Sequence, residues 1–222
     1  MKEHSERIPE KNFRMLDKKP LFFYIADTLK TTNIFKKIII NTDSHKIVEL
    51  AKNRYKDWVH INKRTKNLCG DYVSMNEIID FDIQNENDGY HFFQTHSTNP
   101  FLQSEVIKEA VSQYKKNIIN NNYDSLFSVN VLYSRLYNKS LIPINHDPSK
   151  LIRTQDLDIT YEENSNFYMF SKESFKIKNA RIGINPFPFT MKSDRITSLD
   201  IDFPEDWDFA EELIRGGRIK IN

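Results

Sequence analysis

Ile38-Ile39-Ile40-Asn41-Thr42-Asp43-Ser44 changes character halfway along. Three β-branched residues, too few for a buried helix, run into four polar turn-forming residues. Ile47, Leu50, Ala51 and Tyr55 then recur at helical spacing. A strand therefore feeds a helix through a polar turn.

The same unit repeats in both directions. Upstream, Pro20 stands where a first helical residue is welcome, and Leu21, Ile25 and Leu29 share one face. Downstream, Ser74 and Glu77 form a capping box ahead of Ile78, Ile79 and Phe81. Tyr90-His91-Phe92-Phe93 reads as a buried strand with the polar outlet Gln94-Thr95-His96-Ser97-Thr98-Asn99-Pro100. Ser104 then caps a helix with Ile107, Ala110, Val111 and Tyr114 on one side.

Ser125-Leu126-Phe127-Ser128-Val129 is a further strand, after which the rhythm breaks. From Val131 to about Lys192 short β-like pieces alternate with prolines, and we read residues 131–192 as an inserted, β-rich arm. Alternation returns with Ile196-Thr197-Ser198-Leu199-Asp200-Ile201-Asp202, expected as a strand. Pro204, Glu205 and Asp206 then open a helix carrying Trp207, Ala210 and Ile214. Such alternation implies a three-layer, Rossmann-like α/β domain, with a mainly parallel sheet and helices on both faces. Residues 1–130 and 193–222 would form that domain. Ligands of such sheets sit beyond the carboxyl ends of the strands, so the outlets after Ile40, Phe93 and Ile201 are candidates for one shared site.

Composition narrows the class. The 222 residues suit one α/β domain with a small appendage. Lys plus Arg number 32 against 31 Asp plus Glu, so no global basic field points to nucleic acid, and any phosphate binding is local. A single cysteine, Cys69, excludes an internal disulfide framework and fits a reducing compartment. Its apolar and glycine neighbours suit a small packed residue rather than a catalytic thiol. The apolar runs are too short for a membrane span, so the expected location is cytoplasmic, with no nucleic-acid or membrane partner.

Two chemical features stand at opposite ends. Residues 1–12 hold Lys2, Ser5, Arg7, Lys11 and Asn12, a set of cations and directed donors suited to a polyanion. On composition alone the same residues could be a solvated tail. Asp200-Ile201-Asp202 would, on a strand, place two carboxylates on one face ~6.5 Å apart with Ile201 turned into the core. Like charges that close ask for a cation, and Mg²⁺ suits carboxylate and phosphate oxygens. Equally, Asp202 could cap the Pro204 helix and Asp200 lie at the surface.

Taken in order, Ser5-Glu6-Arg7-Ile8-Pro9-Glu10-Lys11-Asn12, Lys19-Pro20-Leu21, Asn41-Thr42-Asp43, Arg64 with Leu68-Cys69-Gly70-Asp71, Gln94 with Ser97 and Pro100, Tyr161-Glu162-Glu163-Asn164 and Ser198-Leu199-Asp200-Ile201-Asp202 resemble the cytidylyltransferases that activate sialic acids and related nonulosonic acids. Those acting on the eight-carbon sugar acid of lipopolysaccharide are more distant relatives. The resemblance runs from Met1 to about Ile214.

It implies that CTP and a 2-keto sugar acid give a CMP-sugar and pyrophosphate. It places Lys2, Ser5, Arg7, Lys11 and Asn12 in the loop that holds CTP, with Lys11 the main charge on the phosphates. Arg64 and Asp71 would lie along the nucleotide, and Gln94 and Ser97 would face the sugar acid. Asp200 and Asp202 would hold Mg²⁺. The arm would be the dimerisation element of a homodimer, lending Arg153 and Asn164 to the neighbouring subunit's sugar pocket.

The resemblance also puts an apolar strand, an arginine and a glycine pair ahead of the serine, where here Lys2, Glu3 and His4 precede Ser5. The expectation is that the natural chain extends upstream. Without a central strand two neighbours lose pairing, at roughly 1–3 kcal/mol for each buried backbone group left unsatisfied. The outlet after Phe93 is longer than the usual sialic acid form and resembles a subgroup acting on legionaminic-type acids. Two other readings fit the residues: another nucleotide-sugar nucleotidyltransferase or glycosyltransferase, and a non-catalytic CTP-binding homologue.

Overall fold

The computed structural model describes residues 1–70, 72–87, 89–120, 122–191 and 196–219. Its core forms where the sequence patterning placed it. The loop of residues 1–14 leads into a two-residue hairpin, β1 (Met15–Leu16) with β2 (Lys19–Pro20), and then α1 (Leu21–Thr31). β3 (Ile38–Thr42), α2 (His45–Tyr55) and β4 (Val59–Lys63) complete a strand-helix-strand unit whose two strands pair in parallel, Ile38 with Val59 through Thr42 with Lys63. Ser44 caps α2 by accepting from the Ile47 N–H. α3 (Met75–Gln84) begins at the expected box of Ser74 and Glu77.

β5 (His91–Thr95), α4 (Ser104–Ile119) and β6 (Ser125–Leu132) follow. α4 starts one residue earlier than expected: Gln103 occupies the cap position, while the Ser104 hydroxyl donates to Glu105. β7 (Thr160–Ser171), α5 (Lys172–Lys178), β8 (Pro186–Thr190) and α6 (Pro204–Arg215) close the chain.

The larger sheet has the order β5-β7-β6-β8, with β6 and β8 parallel and β7 antiparallel to both its neighbours. The layered α/β arrangement is as expected, whereas its ladders are mixed rather than mainly parallel, because β7 enters between β5 and β6. Phe167 and Met169 of β7 meet α1 and α4 on one face. Tyr168 and Phe170 meet α3 and Phe175 of α5 on the other. This is the period of two of a strand buried on both sides.

Residues 131–192, read as one arm, divide accordingly. Residues 133–159 stand off the sheet, carrying Tyr133, Leu141, Ile144 and Leu151 exposed, whereas β7 and β8 belong to the sheet itself.

The segment 196–202 is turn and extended chain rather than the expected strand. Ile201 N–H donates to the Thr98 carbonyl at 2.9 Å, and its side chain is fully buried with Ile8, Leu16, Phe101 and Trp207. Ile8 is equally buried, so the first residues are packed against α6 and are not a solvated tail.

Among the described residues β3 pairs only with β4, and β5 only with β7. Both nevertheless line one cavity of about 830 Å³, walled by apolar side chains of α1 and α3 and continuous with the N-terminal loop. The Met1 amino group donates to the Asn41 carbonyl at the mouth of this gap. No helix among the described residues is long and apolar enough to cross a membrane.

Candidate active site

Three loop segments converge beyond the carboxyl ends of β3 and β5, the position at which α/β sheets bind ligands. They are residues 1–12, the outlet after β5 and the segment ending at Asp202, all bordering the cavity.

Lys11 is the centre of the convergence. Its ammonium donates to the Ile201 carbonyl at 2.7 Å and to Asp202 Oδ1 at 3.1 Å, and its side chain is only 12 % exposed. Arg7 stands 3.6 Å from the other Asp202 oxygen and lies over the Phe203 ring at 4.5 Å. Asn12 is buried and ties the loop in two directions. Its amide donates to the Lys2 carbonyl, and its oxygen accepts from the Ser97 hydroxyl at 2.6 Å. Lys2 and Ser5 border the same cavity. Lys2, Ser5, Arg7, Lys11, Asn12, Gln94, Ser97 and Asp202 are thus gathered around one opening.

Arg64 reaches it from β4's end. Its guanidinium donates from Nε to Asn41 Oδ1 at 2.7 Å, and the Asn41 amide donates in turn to Asp82, as does Asn62, each at 2.7 Å. Burial raises the Asp82 carboxyl above its usual range, against the pull of these two amides. Asn41 stood in the outlet after Ile40, whereas Asp82 had no sequence signal beyond its polar type; the closure of α3 over β3 joins them. Asp71 lies outside the described residues.

Asp200 behaves differently from Asp202. Burial raises its carboxyl pKa, opposed by the Thr98 side chain and reinforced by the neighbouring Asp202 charge, and its Oδ1 is buried with no hydrogen-bond partner among the described residues. An orphaned carboxylate oxygen beside a second carboxylate suits a divalent cation. Among the described residues no group of three or more His, Cys, Asp and Glu is assembled for a metal. Mg²⁺ does not require one, since it is commonly held by one or two carboxylates with substrate phosphates and water completing the shell. The residues present therefore fit such an ion. Asp202 does not cap α6 with its side chain; Asp206 does so by accepting from the backbone N–H groups of Asp202 and Phe203.

Two expected residues are not brought to this opening. Arg153 is exposed on the arm, held in a two-point pair with Asp156 at 2.7 and 3.0 Å. Asn164 is engaged between β6 and β7, accepting from Ser128 and donating to Asn130. Neither borders the cavity of its own chain.

The sequence assigns no role to His96 or Arg181, yet His96 borders the cavity and Arg181 stands behind it. Arg181 follows α5, a distant segment with no local motif, and reaches Gln94, His96 and Tyr168. The Cys69 thiol donates to the Thr65 carbonyl.

Residues 1–220 match the protein family described as Cytidylyltransferase. Among characterised relatives, N-acylneuraminate cytidylyltransferase A of Danio rerio is 27 % identical over 219 residues, covering 95 % of this chain and 48 % of the relative. N-acylneuraminate cytidylyltransferase of Escherichia coli O18:K1:H7 is 26 % identical over 215 residues, covering 93 % and 48 %. The chain spans about half the length of these relatives. CMP-N,N'-diacetyllegionaminic acid synthase of Legionella pneumophila is 24 % identical over 228 residues, covering 95 % of this chain and 91 % of the relative. In fold, the chain is similar to 4-diphosphocytidyl-2C-methyl-D-erythritol synthase of Anaerococcus prevotii, with a TM-score of 0.66 at 9 % identity and coverage of 92 % and 93 %. It is also similar to a CMP:2-keto-3-deoxy-manno-octonic acid synthetase complexed with CTP, with a TM-score of 0.62 at 11 % identity and coverage of 98 % and 96 %.

Proposed function

This chain belongs to the cytidylyltransferase family, and from that premise we propose that it couples CTP to a 2-keto sugar acid of the nonulosonic class, giving a CMP-sugar and pyrophosphate. The observation that carries the reading is the meeting of Lys11 with Asp202 at 3.1 Å, on a cavity that also receives Ser97 and Gln94. Cations for a triphosphate, carboxylates for its metal and polar groups for an acceptor then border one space.

In the proposed reaction the anomeric hydroxyl oxygen attacks the α-phosphorus. The α–β phosphoanhydride bond breaks, pyrophosphate leaves with its electron pair, and the hydroxyl proton is lost. Anionic oxygens shield the α-phosphate, so the protein's work is neutralisation and alignment. Lys11 turns from Asp202 to the outer phosphates, and Arg7, on the exposed rim, steadies the departing pyrophosphate. Ser97 and Asn12, already hydrogen bonded, keep the phosphate loop and the acceptor outlet in register. Asp200 and Asp202 would hold Mg²⁺, which when bound draws charge from the α-phosphate and lowers the pKa of a coordinated hydroxyl.

The substrate we favour within the class is a legionaminic-type acid, on the length of the outlet after β5 and on the relative of similar length from Legionella pneumophila. We also propose a homodimer formed through residues 133–159, because that segment leaves Tyr137, Leu141, Ile142, Ile144 and Ile159 each exposed. Arg153 and Asn164 are the residues through which it would reach the partner's sugar pocket.

The test is to incubate the chain with each of the four nucleoside triphosphates and Mg²⁺, and to follow pyrophosphate release across a panel of sugar acids. Release with CTP and a nonulosonic acid alone is expected. Release with another nucleotide, or CTP binding without release on any acid, would overturn the reading.

A further inference from the structure

Arg181 makes a set of contacts that allows one arrangement of protons in the cleft wall. Its guanidinium lies over the Tyr168 ring at 3.6 Å, and Nη2 donates to the Tyr168 hydroxyl at 2.9 Å. Nη1 donates to Gln94 Oε1 at 3.0 Å and points at His96 Nε2 from 3.3 Å. A guanidinium has no acceptor, so the nitrogen it faces on His96 must be unprotonated.

Gln94 leads to the same assignment. With its oxygen on Arg181, its amide nitrogen donates to the Thr95 carbonyl at 3.2 Å and lies 3.2 Å from His96 Nε2. The reversed amide would set an N–H against Arg181 and an oxygen against a carbonyl. Two donors therefore converge on His96 Nε2, and the imidazole proton belongs on Nδ1. Burial and the Arg181 charge also depress the His96 pKa, to about 4, which keeps the ring neutral. Nδ1 has no hydrogen-bond partner among the described residues, and His96 borders the cavity with Lys11, Ser97 and Asp202.

We propose that Arg181 is a positioning residue: it locks Gln94 in one amide orientation and His96 in the Nδ1–H form, so that the acceptor outlet offers a neutral donor to an oxygen of the sugar acid. The identity of that ligand rests on the function proposed above; the proton placement does not. A neutral donor suits this place, because an imidazolium would add a positive charge near Asp202 and oppose the binding of a divalent ion there.

The experiment uses the full chain labelled with ¹⁵N at histidine. At pH 7 the nitrogen shifts of His96 are expected to report a neutral ring protonated at Nδ1. In Arg181→Met they move toward the Nε2–H form. Arg181→Lys keeps a cation over Tyr168 but not the fork, and is expected to shift the ring in the same direction if the methionine variant does not fold. In kinetics, His96→Gln and Arg181→Met should each raise the KM for the sugar acid about tenfold, the order of one lost hydrogen bond, with the KM for CTP within twofold. His96→Asn, whose amide stands near the Nδ1 position, should recover most of that loss.

A wild-type ring that is protonated at Nε2 or charged would overturn the proposal. So would a proton that stays on Nδ1 in both Arg181 variants, or a glutamine variant that keeps its KM for the acid. If no sugar acid turns over, the nitrogen shifts still decide the proton placement, so failure of the function leaves this result readable.

Discussion

Lys11 Nζ lies 3.1 Å from Asp202 Oδ1 and 2.7 Å from the Ile201 carbonyl, joining the first loop of the chain to the segment before its last helix. The contact is largely shielded on the lysine side, at 12 % exposure, and half open on the aspartate side, at 50 %. The lysine is therefore sheltered from water, while the aspartate can be reached by an incoming cation.

Replacing the lysine tests which ligand charge it serves. Lys11→Ala should weaken CTP about 10- to 100-fold, as expected for a lost charge-assisted hydrogen bond, and CMP by less than threefold. Titration calorimetry with both nucleotides reads the difference. Equal losses would place Lys11 away from the outer phosphates.

Asp202→Asn should cut Mg²⁺-dependent pyrophosphate release at least about 100-fold, because removing one ligand of a catalytic ion costs transition-state stabilisation of that order. Its thermal midpoint should stay near wild type, since a half-exposed ion pair adds about 0–1 kcal/mol to stability. Unchanged release would remove Asp202 from the chemistry, and a large fall in the midpoint would make its role structural.

In a chain that starts at Met1, the gap between β3 and β5 carries a pH signature. Burial, reinforced by the Arg64 charge, lowers the Met1 amino group from 8.0 to about 5. The unfolded chain then binds the extra proton between those values, so this group makes stability rise from pH 5 to pH 8. Below pH 5 both states are protonated and the penalty is complete; above pH 8 it is absent. Extending the chain at its amino end by an apolar segment of five to seven residues converts the amine to an amide and can supply pairing to the edges of β3 and β5 that no described strand pairs. Urea unfolding of the two chains at pH 5 through 8 should show a flatter pH dependence and greater stability for the extended one. Parallel curves of equal height would mean that the gap does not accept a strand.

Leu141 and Ile144 are 79 % and 61 % exposed on the segment that stands off the sheet. Sedimentation equilibrium of the unaltered chain should give a dimer mass at micromolar concentration. Joint replacement, Leu141→Lys with Ile144→Lys, should give a monomer whose helical circular dichroism is unchanged. A wild-type monomer, or a double variant that remains dimeric, would reject this face as the interface.

The helices were legible because their signals are local. Ser74 holds the cap its position suggested, and Ile47, Ala51 and Tyr55 are buried as their spacing required. β7 was harder to place. Phe167-Tyr168-Met169-Phe170 shows no polar alternation, being covered on both faces, and its antiparallel entry between β5 and β6 is a long-range pairing that no short window reports. Ile196 to Asp202 has the composition of a strand, yet no ladder takes it up among the described residues; Ile201 is secured instead by Thr98 and the Trp207 cluster.

By itself, the amino-acid sequence determined the layered α/β class, the starts of α1, α3, α4 and α6 to within a residue, and the two charged segments, because each depends on residues within about one turn or strand of one another. Tertiary structure alone decided that Lys11 meets Asp202, that Asp200 keeps a buried oxygen without a partner among the described residues, and that Arg181 and Gln94 come to face His96 Nε2. Those relations join positions brought together by closure of the sheet and its helices, and the energies involved depend on burial that exists only once the chain has folded.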